Sequence, residues 1–260
     1  MDREAEFFNQ KLHELKQGMT ADGIDELGYP IAFDPNRLSF HVDPSLRFGL
    51  EHMGEIQGKA ILDCGCGSGF STIFLAKKGA RVYAFDLSEE AVQVTQKRSA
   101  LNGVSERVDV TLASLHRLPY PDRFFDAIFG SFILHHVDLA PAAQEIRRVL
   151  KQGGRAVFVE NSSRNPLLMF ARRNLVGRFW IPKKGSADEH PLTPKEIDFL
   201  KSYFRITLFY ADFVFLRMAD YLFPSPAIQR LGFLLDRGIY RLLPGLRPYG
   251  YYLVCELEPH

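Results

Sequence analysis

The residues best suited to chemistry begin at Asp63-Cys64-Gly65-Cys66-Gly67-Ser68-Gly69. Three alternate glycines make a turn with almost no side-chain bulk. Ala60-Ile61-Leu62 before it reads as the end of a buried strand, and Phe70-Ser71-Thr72-Ile73-Phe74-Leu75-Ala76 after it has helical spacing. A strand–glycine–helix junction lets backbone approach a nucleotide-like ligand closely. Asp63 narrows the ligand further. A carboxylate two residues before the first glycine is of no use to a phosphate, but it suits a cationic amino-acid group. Asp86, followed by Leu87, ends the next apolar segment, where a carboxylate can accept hydrogen bonds from both hydroxyls of a ribose. A dinucleotide fingerprint asks for glycine at position 70, which is Phe here. The plainer reading of Asp86 is a helix-capping acid.

Two further stretches carry candidate groups. Ala113-Ser114-Leu115-His116-Arg117-Leu118-Pro119-Tyr120 follows a third apolar segment, and Gly130-Ser131-Phe132-Ile133-Leu134-His135-His136-Val137 follows a fourth. Histidine is the usual side chain for removing a hydroxyl proton near neutral pH. Glu160, at the end of a fifth segment, could orient such an imidazole, because the carboxyl ends of parallel strands are neighbours. Ile146-Arg147-Arg148-Val149-Leu150-Lys151-Gln152-Gly153-Gly154 precedes that fifth segment. Taken together, residues 59 to about 160 resemble the class I S-adenosylmethionine-dependent methyltransferases, in the small-molecule type that carries Leu-His-His.

That resemblance implies S-adenosyl-L-methionine as cofactor and no metal. It assigns Asp63, Gly65, Cys66, Gly67 and Gly69 to the donor, Asp86 and Leu87 to its ribose, and Ser114 and Leu115 to its adenine, with Ser131 completing the set. The family usually has Asp where this chain has Ser114, a hydroxyl that accepts without charge. Methyl transfer is an in-line displacement, so positioning is the protein's main task. A hydroxyl acceptor also needs a base, for which His135 and then His136 are the candidates, with Glu160 as orienting acid. The alternative is that one histidine caps the next helix or floors the pocket. The implied function is methylation of a small, apolar organic acceptor at oxygen. Carbon methylation of a quinone- or lipid-like ring, or a cofactor-binding subunit without activity, stand as alternatives. Tyr29, His41 and His190 are lesser candidates for substrate contact, and His116 is expected on the surface.

The elements that must position these groups are legible from pattern. Strands are expected at 59–63, 81–86, 107–112, 125–130 and 154–160, with helices at 70–78, 88–102 and 139–151 between them and Gly153-Gly154 as the reversal into the fifth strand. This alternation indicates βαβ units and a parallel sheet covered on both faces. The expected fold is Rossmann-like α/β, a mostly parallel seven-stranded sheet with N- and C-terminal helical lid elements. Residues 1–54 form the N-terminal cap, with helices at 2–17 and 44–54 around a loop, 55–160 the cofactor core, and 161–260 the completion of the sheet with a substrate-binding insertion. Within the last part, 164–176 and a segment starting at Thr193-Pro194 read as helices, 206–210 and 251–257 as strands, and 212–243 as helical and unusually apolar. Ile228, Leu231, Leu235, Ile239 and Leu242 share one face there, expected to pack on the core or on a second subunit, with a membrane surface or a substrate lid as alternatives.

Composition sets the outer bounds. A net charge of +1 gives no support to nucleic-acid binding. Three cysteines, two inside the glycine turn, make neither a secreted disulfide framework nor a zinc site. The charged start Met1-Asp2-Arg3-Glu4 is no secretory signal, and no run reaches the roughly 18–20 apolar residues of a membrane span. A cytoplasmic location is the expectation.

Overall fold

The computed structural model describes residues 3–25, 29–36, 44–174, 190–210 and 225–260. In chain order the elements are α1 (Arg3–Gly18), α2 (Pro44–His52), β1 (Ala60–Cys64), α3 (Phe70–Lys77), β2 (Arg81–Asp86), α4 (Glu89–Leu101), β3 (Val108–Leu112), β4 (Phe125–Ser131), α5 (Leu139–Val149), β5 (Leu150–Asn161), α6 (Pro166–Asn174), α7 (Pro194–Leu200), β6 (Phe204–Tyr210), α8 (Pro226–Leu242) and β7 (Tyr252–Pro259). The strands form one seven-stranded sheet in the order β3-β2-β1-β4-β5-β7-β6. Only β7 runs against its neighbours. Strand order reverses between β1 and β4, and ligands of open α/β sheets bind in the crevice beyond the strand ends at such a point.

Alternation along the strands builds two cores. Leu62, Cys64, Ile128, Phe158 and Leu253 face α5 and α7, packing with Ala142, Ala143, Ile146 and Ile197. Ile61, Phe129, Val157, Val159 and Val254 face the other way, against Leu46 and Leu50 of α2 and Ile73 and Phe74 of α3. Both faces are therefore buried, as a parallel sheet requires. Helix starts follow their side chains: the Ser88 hydroxyl accepts from Ala91 N at 3.2 Å, and Thr193 and Glu196 form a reciprocal capping box.

The structure moves one expected boundary substantially. α5 ends at Val149 rather than 151, and β5 begins at Leu150 rather than 154. Pairing jumps from Phe125–Leu150 to Ala127–Arg155, so 151–154 bulge out of a continuing strand, with Gly153 at φ 75°. Gly153-Gly154 is thus a bulge and not a reversal between elements. Lys151 uses the bulge to reach Asp126 Oδ1 at 2.6 Å, while Asp126 Oδ2 accepts from Ala60 N at 2.8 Å, tying β4, β5 and the start of β1.

The C-terminal helix forms within the expected span, but its apolar stripe is turned away from the core. Residues 226–242 are helical, and 211–224 lie outside the described residues. The buried stripe of α8 is Gly232, Asp236 and Tyr240, whereas Leu231, Leu235 and Leu242 are exposed. The expected apolar face therefore points to solvent. No helix among the described residues is long and apolar enough to cross a membrane.

The N-terminal segment packs on α4 through Leu12, Met19, Ile31, Ala91 and Val94. Beneath it lies Arg98, a guanidinium with no exposure. It donates to Asp25 Oδ2 at 2.9 Å, Ser68 O at 2.9 Å, Ile31 O at 3.2 Å and Pro30 O at 2.6 Å. Breaking such a pair leaves a buried charge uncompensated. We expect Arg98→Met to lower stability by about 3–5 kcal/mol in urea unfolding. Adding Asp25→Leu should recover part of that loss, since the stranded carboxylate is then gone; a double variant no better than the single would contradict this role.

Candidate active site

The loop after β1 is shaped by three left-handed residues: Gly65, Gly67 and Gly69 have φ of 68°, 51° and 83°. Only glycine takes this conformation at little cost. A Cβ on Gly65 would lie 2.8 Å from Ile133 Cδ1, and one on Gly69 would lie 2.7 Å from Thr95 Oγ1. A Cβ on Gly67 would meet nothing within 4 Å, so the turn opens into free space at its middle. Asp86 accepts from Gly67 N at 2.9 Å through Oδ2 and from Ser88 N at 3.0 Å through Oδ1. It therefore both holds the tip of the loop and fixes Ser88, the N-cap of α4. Leu87 beside it is exposed.

Asp63 is buried under the loop and accepts at Oδ2 from Ser71 at 2.8 Å and Thr72 at 2.5 Å. Its Oδ1 has no hydrogen-bond partner. Burial pushes its pKa up to about 6; the Thr72 and Ser71 hydroxyls pull it down, and the Asp86 charge adds a smaller upward push. Asp86 is also raised, again by burial first. Two carboxylates at one loop disfavour a phosphate and favour a cationic ligand.

The loop after β3 turns at Ser114, whose hydroxyl accepts from His116 N at 3.2 Å. Leu115 points into the core, so its backbone, not an apolar side-chain wall, is what it can present. This loop is clamped from α5. Glu145 accepts from Leu118 N at 2.7 Å, and Arg148 donates to Tyr120 O at 2.8 Å and Leu118 O at 3.2 Å. The Arg147-Arg148-Val149-Leu150-Lys151 run thus acts twice, through Arg148 here and Lys151 at the bulge.

Beyond β4, Ser131 is half-buried and Phe132 sits at φ 56°, an uncommon conformation for a bulky residue. Glu160, fully buried at the end of β5, organises the turn from Ile133 to His135. Its Oε1 accepts from Ile133 N at 2.9 Å and Leu134 N at 2.7 Å, and its Oε2 lies 2.6 Å from His135 Nδ1. A carboxylate on Nδ1 fixes the ring proton there and makes Nε2 the basic nitrogen. His135 is buried, while the ring of His136 lies 4.0 Å from it and is exposed.

Of the lesser candidates, Tyr29 stacks on Phe70 at 4.4 Å in the core on the α2 and α3 face of the sheet and is buried. His190 is exposed and bonds Glu196 at 3.2 Å, His116 is exposed as expected, and His41 lies outside the described residues. Sequence reading missed Asp25, Arg98, Ser71 and Thr72. The last two were legible as hydroxyls one turn from Asp63 on the helix it faces; Asp25 carries no local signal.

Comparison with known proteins bears on this geometry. A model described as a methyltransferase domain matches residues 62–158, from β1 through β5. The chain is 30% identical to the methyltransferase GfsG of Streptomyces halstedii, covering 61% of this chain and 58% of that protein. It is 34% identical to the ubiquinone/menaquinone biosynthesis C-methyltransferase UbiE of Hydrogenovibrio crunogenus, covering 54% and 56%. It is 30% identical to a ubiquinone biosynthesis O-methyltransferase of Aeromonas salmonicida, covering 63% and 66%. The chain carries a methyltransferase domain over residues 62–158 and is similar to the class I S-adenosylmethionine-dependent methyltransferases. It spans 58% and 56% of the first two relatives' length. The geranyl diphosphate C-methyltransferase of Streptomyces coelicolor shares the fold across 99% of this chain and 97% of its own, with TM-score 0.61 and 16% identity.

The residues present fit the family's cofactor. The open space at Gly67, the unpartnered Oδ1 of Asp63 and the carboxylate of Asp86 suit a ligand with a cationic amino-acid end and a ribose. The raised pKa of Asp63 has a consequence for the methyltransferase fold itself. Well below pH 3.8 the side chain is neutral in both folded and unfolded chains. Between the ordinary 3.8 and the folded value near 6 the unfolded chain ionises first, so stability falls as pH rises and then levels off. Asp63→Asn cannot ionise. Its stability relative to the native protein should rise by on the order of 3 kcal/mol between pH 4 and 7 in urea titrations; a pH-independent difference would contradict the buried-acid assignment.

Proposed function

We propose that this chain methylates a small apolar acceptor with S-adenosylmethionine, at a hydroxyl oxygen whose proton is taken by His135. The observation that carries the reading is the 2.6 Å contact between His135 Nδ1 and the buried carboxylate of Glu160, at the mouth of β4 and beside the glycine loop. When bound, the cofactor supplies a sulfonium methyl group for in-line displacement. The chain's own residues do the rest. Gly65, Cys66, Gly67 and Gly69 give the backbone close approach, with Asp63 toward the cationic end. Asp86 and Leu87 take the ribose, Ser114 and the backbone of Leu115 take the adenine, and Ser131 lines the mouth of β4.

Glu160 keeps the proton on Nδ1 of His135, so that Nε2 is the atom that accepts from the acceptor hydroxyl. The exposed ring of His136 lies against His135, on the solvent side of the pair. Carbon methylation of a quinone-like ring is the second reading. It is supported by the relative whose name specifies C-methylation, just as the O-methyltransferase relative supports the first.

Two measurements test this. S-adenosylhomocysteine should bind the native chain, and Asp86→Ala should weaken it at least tenfold by calorimetry; NAD should give no heat. The ammonium group of S-adenosylhomocysteine near Asp63 favours the carboxylate, so its binding should release a fraction of a proton at pH 6 and almost none at pH 8, read from buffers of different ionisation enthalpy. With hydroxynaphthoquinone and phenolic polyketide acceptors, His135→Ala should cut turnover by about 10²-fold or more while leaving donor affinity within twofold. Retained turnover would remove His135 from the mechanism, and a C-methyl product by NMR would move the reaction to carbon.

A further inference from the structure

A cavity of about 350 Å³ lies between α7 and the outer strands, and its lining includes Ser162, Arg164, Ile197, Lys201, Leu208 and Tyr210, together with Pro194 and Asp198. Sheet register locates it. Glu160 of β5 pairs with Leu253 of β7, and Leu253 pairs with Tyr210 of β6. Glu160 and Tyr210 therefore share one row and, being equivalent in the alternation, one face, two strand spacings or roughly 10 Å apart. Ser162, two residues beyond Glu160, is on that face as well. The cavity thus opens on the same side and at the same carboxyl edge as His135 and Glu160.

Its polar lining is rich in donors. The Ser162 hydroxyl accepts from Arg164 N at 3.2 Å, which folds the chain back over the cavity and leaves the hydroxyl proton available. Lys201 and Asp198 satisfy each other at 2.7 Å, so their charges largely cancel. Arg164 makes no ion pair among the described residues, and it neighbours the Tyr210 hydroxyl. Among the described residues this leaves one guanidinium without an ion pair and two hydroxyls, with Ile197 and Leu208 as the apolar lining. A planar guanidinium with adjacent hydroxyl donors matches a phosphate or carboxylate.

We infer that this cavity is an oxyanion subsite, in which Arg164, Tyr210 and Ser162 bind a phosphate or carboxylate roughly 10 Å from the histidine–glutamate pair. As a part of the acceptor site it rests on the methyltransferase reading, because that spacing is what an anionic tail on an apolar acceptor would span. The binding chemistry itself does not depend on that reading.

Calorimetry on the full chain saturated with S-adenosylhomocysteine tests it, with farnesyl phosphate, farnesol and inorganic phosphate as probes. Farnesyl phosphate should bind at least tenfold tighter than farnesol. Arg164→Gln should erase that preference, and Tyr210→Phe, which removes only a hydroxyl, should reduce it severalfold. S-adenosylhomocysteine affinity should be unchanged in both variants. Farnesyl phosphate binding tighter than inorganic phosphate identifies the anion as part of the acceptor; equal affinities identify a free anion in the same site. Absence of phosphate binding, or binding that Arg164→Gln leaves intact, overturns the inference. Failure of the native chain to bind S-adenosylhomocysteine would count against the donor site instead, since the phosphate titrations can be run without it.

Discussion

A guanidinium with no solvent exposure joins the N-terminal segment to the glycine loop. Burying that charge is costly unless its nitrogens are hydrogen-bonded and an opposite charge lies alongside. Arg98 meets both conditions: its nitrogens reach carbonyls at Pro30, Ile31 and Ser68, and Asp25 supplies the carboxylate. Asp25 also accepts from Ser68 Oγ at 3.0 Å and Tyr29 N at 2.8 Å. Asp25, Pro30 and Ile31 and the loop at Ser68 therefore cannot shift independently without exposing or stranding a charge. Phe70, the first residue of α3, is held from the same side by stacking with Tyr29 and Phe33. The donor loop owes its shape as much to this arrangement as to its glycines.

The sheet divides the chemistry between its two faces. Asp63 has the parity of Ile61 and Phe129 and looks toward α3, whose first-turn hydroxyls it accepts from. Glu160 has the parity of Phe158 and looks toward the α5 side, where it gathers Ile133, Leu134 and His135. Because both stand at the carboxyl edge, a ligand lying across that edge meets a carboxylate-lined loop at one end and an oriented imidazole at the other. This is the physical basis for reading donor and acceptor chemistry from one crevice.

Much of this was legible in the sequence, where the signal was local. Gly65, Gly67 and Gly69 announced a tight turn because only glycine tolerates that backbone, and the periodicities of the segments around it gave β1 to β5 and the helices between. The pairing of His135 with Glu160 followed from parallel strands having adjacent ends. Contacts between distant residues escaped. Nothing local marks Arg98 as buried, since an arginine on a helix is ordinarily exposed. The bulge at 151–154 reads as a turn because glycines mark both. The apolar stripe of α8 reads as an inward face, whereas Asp236 and Tyr240 occupy the buried side.

The central claim is that the glycine loop, Asp86 and the N-terminal segment form a single donor site coupled through Arg98. Hydrogen exchange with and without S-adenosylhomocysteine tests it most directly. The ligand should slow exchange at 63–69 and 86–89 and, together with them, at 23–33, and Arg98→Met should remove the protection at 23–33 while retaining some at the loop. Protection confined to other parts of the chain, or a 23–33 segment indifferent to the ligand in the native protein, would contradict it.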